Sequence, residues 1–218
     1  MEIHPLRSGV STSYLVVEGK RAMLVDAGEP GLTPKVLATL RDLDAELGLI
    51  VLTHFHYDHV GAADAIRAAT GARVAIHEKD AEALRAGGRL QLVPTRLFAR
   101  LLATFINKKE QRPVTPDLEF GDEEDLTRYG GFGKTFWTPG HTPGSQSIVL
   151  DDGTVFAGDA LTEKAITHHA QGPMFIDDAA SSTASIKAIA ARATTLYVAH
   201  NGKVEIRSIK SFAAGLRD

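Results

Sequence analysis

The chain has 218 residues, 44% of them hydrophobic and 23% charged, with no cysteine and a formal charge of −3. That composition excludes a disulfide framework and thiolate metal sites, and it offers no global attraction to nucleic acid. No apolar run reaches the roughly 20 residues of a membrane span, and Met1 to Gly19 has no apolar signal stretch, so a single cytoplasmic domain over residues 1–218 is expected.

In chain order, Ser13 to Glu18 and Arg21 to Asp26 read as strands joined by a Glu18-Gly19-Lys20 turn. Pro34 to Leu43 carries Val36, Leu37, Leu40 and Leu43 at helical spacing, and Leu49 to Leu52 is a fully apolar strand. A helix over Ala62 to Ala69 stops at Gly71, and a strand follows at Arg73 to Ile76. Pro94 to Lys109 reads as a helix inserted within about 89–112, with Leu97, Phe98, Leu101, Leu102, Phe105 and Ile106 in one stripe that must be buried. Seven basic residues against Glu110 alone give 85–112 a charge of +6, and such a basic amphipathic helix can pack on the core with a solvated cationic back, form a homodimer contact, meet a membrane surface or serve as a lid over the metals. Later, Lys134 to Trp137, Ser147 to Leu150 and Thr154 to Ala157 read as strands, Thr183 to Ala193 as a helix and Thr195 to Ala199 as a strand. The halves share a grammar: one apolar strand ends in aspartate (Asp26, Asp159) and a second in histidine (His54, His200), a weak internal duplication. Polar residues at strand C-termini gather along one edge of an open α/β sheet, where sites form.

The strongest chemical signal is His54-Phe55-His56-Tyr57-Asp58-His59. In an extended segment residues two apart point the same way, so His54 and His56 can close on one cation, while the curl into the next helix turns Asp58 and His59 toward a neighbouring point. Taken alone, Asp58 serves equally well as a helix N-cap. The duplication nominates Asp159 and His200 as further ligands, and His141 joins them from the rigid turn Thr138-Pro-Gly-His-Thr-Pro-Gly144.

With Thr53 to His59, Pro-Gly-His141-Thr, Gly158-Asp159 and Ala199-His200 all in place, the chain resembles the metallo-β-lactamase superfamily over nearly its whole length. The resemblance implies an α/β fold, a four-layer αββα sandwich of two related halves. It implies a first metal on His54, His56 and His141, a second on Asp58, His59 and His200, and Asp159 bridging both. Asp26 would lie beneath the metals and orient a ligand imidazole. Two divalent ions per chain are expected, zinc by preference with iron or manganese as alternatives, activating a water for hydrolysis of an ester, thioester or lactone. Asp58 or Asp159 would orient that water and take its proton.

Departures narrow the subfamily. The β-lactamases of the family carry cysteine or serine where Asp159 stands, which points away from β-lactams. The flavodiiron relatives place glutamate at His56. Glyoxalase II enzymes share all seven ligands but add a glutathione-binding helical region, and only 18 residues follow His200 here. A glyoxalase II-like thioesterase, a mononuclear iron persulfide dioxygenase and a catalytically inactive scaffold are the rival readings. Candidate contacts to a small-molecule substrate, one with an acyl chain, are Tyr57, His168, His169, Phe98 and Leu102. His77, followed by Glu78-Lys79-Asp80, is expected to cap a helix or face solvent rather than bind metal.

Overall fold

The computed structural model describes residues 1–89, 93–95, 97–106, 110–164 and 169–217, with the side chains at 89, 98, 102 and 104–106 outside that description. The first half opens with β1 (Glu2–Ser8), β2 (Ser11–Glu18) and β3 (Arg21–Val25), then winds through α1 (Thr33–Asp42), β4 (Glu46–Val51), α2 (Tyr57–Val60), α3 (Ala63–Thr70), β5 (Arg73–His77) and α4 (Glu78–Ala86). A middle stretch contains β6 (Gly88–Arg89), α5 (Leu97–Ile106) and β7 (Glu110–Gln111). Then β8 (Leu118–Phe120) completes a six-stranded sheet ordered β1-β2-β3-β4-β5-β8.

The second half begins with β9 (Glu123–Asp125), β10 (Lys134–Trp137), β11 (Gln146–Val149) and β12 (Thr154–Phe156). It continues through β13 (Thr162–Glu163), β14 (Ala170–Gln171), α6 (Ala179–Arg192), β15 (Thr195–Val198), β16 (Gly202–Val204) and α7 (Ile206–Ala214). Its sheet runs β16-β15-β12-β11-β10-β9. In each half an antiparallel hairpin feeds a parallel crossover: β2 pairs with β3 and β3 runs parallel to β4, as β11 pairs with β12 and β12 runs parallel to β15. The repeated order puts Asp26 and Asp159 after equivalent strands, and His54 and His200 after the next pair.

Side chains alternate across a strand, and here both faces are apolar because both are covered. In β3, Ala22 and Leu24 belong to one cluster with α1, α3 and α4, while Met23 and Val25 belong to another between the sheets. In the second sheet Leu196 and Val198 pack with Ile186 and Ile189 of α6 and Ile209 of α7, and Tyr197 turns inward against Phe156 and Tyr14. The three clusters are the three interfaces of a helix–sheet–sheet–helix sandwich. No helix among the described residues is long and apolar enough to cross a membrane.

Of the α5 stripe expected to be buried, the two residues whose side chains are described, Leu97 and Leu101, are exposed. Leu97 is 83% exposed and Leu101 61%, whereas Ala99 and Ala103, four residues apart on another face, are buried with Phe175 beside Met174. The side chains of Phe98 and Leu102, and His168 altogether, lie outside the described residues.

Candidate metal centre

The sheets bring their strand C-termini to one edge. There the segment after β4 delivers His54 and His56, α2 delivers Asp58 and His59, the turn after β10 delivers His141, and the segments after β12 and β15 deliver Asp159 and His200. Potential ligand atoms converge in three overlapping triads: His54, His56 and His141; His54, His59 and Asp159; Asp58, His59 and His200. His141 Nε2 lies 3.2 Å from His54 Nε2 and 3.0 Å from His56 Nδ1. Nitrogens about 2.0–2.1 Å from a tetrahedral zinc stand about 3.3 Å apart, so this triad has the spacing of a ligand set. Asp159 Oδ2 lies 3.1 Å from His200 Nε2, and its Oδ1 lies 3.4 Å from His59 Nε2. The last two atoms are buried and form no hydrogen bond across their 3.4 Å ion pair, an opening that a cation would fill.

The outward nitrogens fix which lone pairs face inward. His141 Nδ1 donates to the Phe175 carbonyl at 2.8 Å and His200 Nδ1 to the Val10 carbonyl at 2.9 Å. His59 Nδ1 donates to Asp26 Oδ2 at 2.8 Å. Thr53 Oγ1 donates to Asp26, so its oxygen accepts from His54 Nδ1 at 3.0 Å. When neutral, these four imidazoles therefore keep the Nε2 lone pair for the centre, while His56 turns its Nδ1 inward, the arrangement that metal-binding histidines require. The donor set fits two divalent cations.

Electrostatics divides the cluster. Burial, and then the neighbouring imidazoles, push His54 and His56 well below the usual histidine range; burial also lowers His141 against the pull of Asp159. Burial acts the same way on His200, but the hydrogen-bonded Asp159 carboxylate and Asp58 outweigh it and lift the imidazole to about 9. Asp26, Asp159 and Asp58 likewise overcome burial at His59 and hold it well above the usual range. His200 and His59 in turn hold the Asp159 carboxyl well below the carboxylate range despite burial.

Asp26 occupies positive φ (60°), a conformation aspartate tolerates better than most residues, and is 3% exposed. Its carboxylate accepts from the Thr53 N–H at 2.7 Å and from His59 Nδ1 at 2.8 Å. Asp26→Ala is expected to lower metal affinity about 10- to 100-fold in chelator competition, with Asp26→Asn losing less because asparagine keeps an acceptor oxygen and tolerates the same φ. Gly158 (φ 51°) lets Asp159 approach, since a Cβ there would meet Thr53 Oγ1 at 2.5 Å.

Of the remaining candidates, Asp58 lies within α2, and the following helix α3 has Ala62 as its N-cap, so Asp58 does not serve as the cap of either. Tyr57 opens α2 half-buried beside Asp58. His169 is exposed and lines a cleft of about 440 Å³ with Lys164, Glu205, Arg207 and Phe212, whose walls include none of the seven clustered residues. His77 caps α4, its Nδ1 accepting from the Lys79 N–H at 3.2 Å, but it is buried rather than exposed. Sequence reasoning missed Asp80, which is 1% exposed and accepts from the backbone of Phe55 and Gly144 and from the Thr142 hydroxyl. Burial pushes its carboxyl up to about 6 against those hydrogen bonds. The carbonyls of Phe175 and Val10 were also missed, because a backbone acceptor leaves no mark on residue type.

Comparison with known proteins agrees with this geometry. The chain is similar to YobT of Bacillus subtilis, 33% identical over 151 residues that make up 68% of this chain and 60% of YobT, so it spans less than two thirds of that relative. It is similar to the hydroxyacylglutathione hydrolase GloC of Haemophilus influenzae, 29% identical over 177 residues, 76% of this chain and 74% of GloC. Its fold is similar to that of the BLEG-1 B3 metallo-β-lactamase, with a TM-score of 0.72 at 25% identity, covering 98% of this chain and 100% of that one. The family model of the metallo-β-lactamase superfamily matches residues 6–200. With that match running from the first strand to the last histidine of the cluster, the chain belongs to the metallo-β-lactamase superfamily.

Proposed function

We propose that this chain is a two-metal hydrolase of acyl thioesters, with His54, His56 and His141 holding one divalent ion, Asp58, His59 and His200 the other, and Asp159 shared between them. The observation that carries this reading is the pair of open, buried atoms His59 Nε2 and Asp159 Oδ1 facing each other among converging triads. Imidazole and carboxylate donors suit zinc, and they also accept iron or manganese. Two such ions supply Lewis acidity that activates a water and polarises a carbonyl.

The chain's own groups do the rest. Asp58 Oδ2 lies 3.5 Å from His200 Nε2, and its side chain, 21% exposed, is more open than that of Asp159. It is placed to orient the attacking water and pass its proton toward solvent. Asp159, more enclosed, fixes the imidazoles of both triads by its charge. The choice of thioester rests on the likeness to GloC, and on aspartate rather than cysteine or serine at 159.

The test is a substrate panel on zinc- and iron-loaded protein: acyl thioesters of glutathione and coenzyme A, an aryl ester, a homoserine lactone, a cephalosporin and a phosphodiester. Thioester turnover exceeding the others by at least about tenfold in kcat/KM, a difference of roughly 1.4 kcal/mol in transition-state binding, is expected. Turnover of the cephalosporin or phosphodiester alone overturns the proposal, as does iron-dependent oxygen uptake with glutathione persulfide in the absence of thioesterase activity. Protein that binds metal and turns over nothing supports the scaffold reading.

A further inference from the structure

The three imidazoles of the first triad come from two loops on different sheets, and something must hold those loops in register. Gln146 joins their bases, its N–H donating to the Thr53 carbonyl and its Nε2 to that of Leu52, both at 2.9 Å. Beyond that point the loops part, and the gap is spanned by Asp80. Its Oδ2 accepts from the Phe55 N–H at 3.3 Å, between His54 and His56, and from Thr142 Oγ1 at 2.7 Å, next to His141. Its Oδ1 accepts from the Gly144 N–H at 2.7 Å. The fit is tight, since a Cβ on Gly144 would lie 2.6 Å from the Asp80 carboxyl group. Asp80 stands in the first turn of α4, a helix anchored by the buried Ala81 and Leu84, so its carboxylate presents a fixed template rather than a mobile contact.

We propose that Asp80 is a positioning residue that locks the His54–His56 segment to the His141 loop and thereby sets the metal affinity of the three-imidazole triad selectively, an inference that rests on the metal-centre reading above. The second triad draws its support elsewhere, from Asp26 at His59 and from the tip of the β1–β2 hairpin, where Ser11 Oγ donates to the Asp58 carbonyl and the Val10 carbonyl accepts from His200. Disturbing Asp80 should therefore move one site and spare the other. Asp80→Asn is the sharpest probe, because it keeps the shape but turns an N–H either against the N–H of Gly144 or against the N–H of Phe55 and the hydroxyl of Thr142. Gly144→Ala presses on the same carboxylate from the opposite side.

The experiment titrates zinc into metal-free wild type, Asp80→Asn, Gly144→Ala and Leu84→Ala against a chromophoric chelator, and records the melting temperature of each metal-free protein. Leu84→Ala loosens the same helix without touching the clamp. Two zinc ions are expected in the wild type. In Asp80→Asn and Gly144→Ala one of the two affinities should fall about 10- to 100-fold, the usual effect of losing a group that orients ligands, with the other within threefold of wild type. In Leu84→Ala the melting temperature should fall while both affinities hold. The proposal is overturned if both affinities survive in Asp80→Asn and Gly144→Ala, or if both fall together in step with melting temperature. A wild type that takes up no metal overturns the reading of the site itself, and the clamp with it.

Discussion

Replacing Asp159 by asparagine is expected to lower turnover by about 1,000-fold and to bring zinc content down from two per chain toward one. The side chain touches both parts of the cluster: Oδ2 is 3.1 Å from His200 Nε2 and 3.7 Å from His141 Nε2, and Oδ1 is 3.4 Å from His59 Nε2. Asparagine preserves the volume and removes the charge, so the effect isolates electrostatics from packing. Loss of one preorganised electrostatic partner costs about 10²–10³ in rate, and a group shared by two cations belongs at the upper end of that range or beyond. The same substitution removes the carboxylate that raises His200 and His59, so both imidazoles should titrate lower in the metal-free protein. Elemental analysis, steady-state kinetics and imidazole titration by NMR read the three effects separately. A variant that keeps two metals and more than a tenth of wild-type turnover would show that Asp159 bridges nothing.

The two triads should also differ in how protons compete with metal. In the metal-free protein His200 titrates near 9 and His59 is held well above the usual range, so at pH 7 both rings carry protons that a cation must displace. His54, His56 and His141 are pushed down and already neutral. Affinity at the second triad should therefore increase as pH is raised, by about tenfold per pH unit for the His200 proton until pH nears about 9 and more steeply where His59 must also lose its proton, while the first triad stays nearly flat. The sign for stability follows from linkage. The raised His200 contributes to the metal-free fold fully below the ordinary histidine value of about 6.5, and that contribution is lost as pH rises through about 9. Calorimetric zinc titrations in buffers of different ionisation enthalpy measure the protons released at each step. Equal proton release at both steps would contradict this division of the site.

Where the sequence was legible, residue chemistry was local. The spacing of His54 to His59 and the Pro-Gly run around His141 mark their roles without any partner in view. The Lys134–Trp137 strand has the bounds that its pattern predicts, because it alternates between a helix-facing and a sheet-facing interior. Other elements are set by partners that the pattern does not display. The acidic strand Glu123–Asp125 has no apolar face and exists by its backbone pairing to β10. The helix expected from Thr183 begins a turn earlier, at Ala179, because Asp178 accepts from the N–H groups of Ala180 and Ser181 ahead of the first bulky apolar residue. In the first strand only Leu6 is buried, too sparse a pattern to read against its polar neighbours. In α5 the pattern of larger residues gave no weight to Ala99 and Ala103, which are buried against Phe175. Asp80 escaped for the opposite reason: an acidic residue in the first turn of a helix is what an exposed surface also provides.

The division of the cluster between the halves has a thermodynamic consequence. Each triad that would hold one ion draws two side chains from before residue 90 and one from after residue 140, and Asp159 adds a second-half contribution to both. Neither triad is completed by one half alone. A bound ion thus acts across the seam between the sheets as a concentration-dependent crosslink, adding stability by mass action: about 2.7 kcal/mol for each site at a hundredfold excess over its dissociation constant. Stability of the sandwich would thereby rise with the supply of free metal, through the joint between the halves rather than through either helix-covered outer layer.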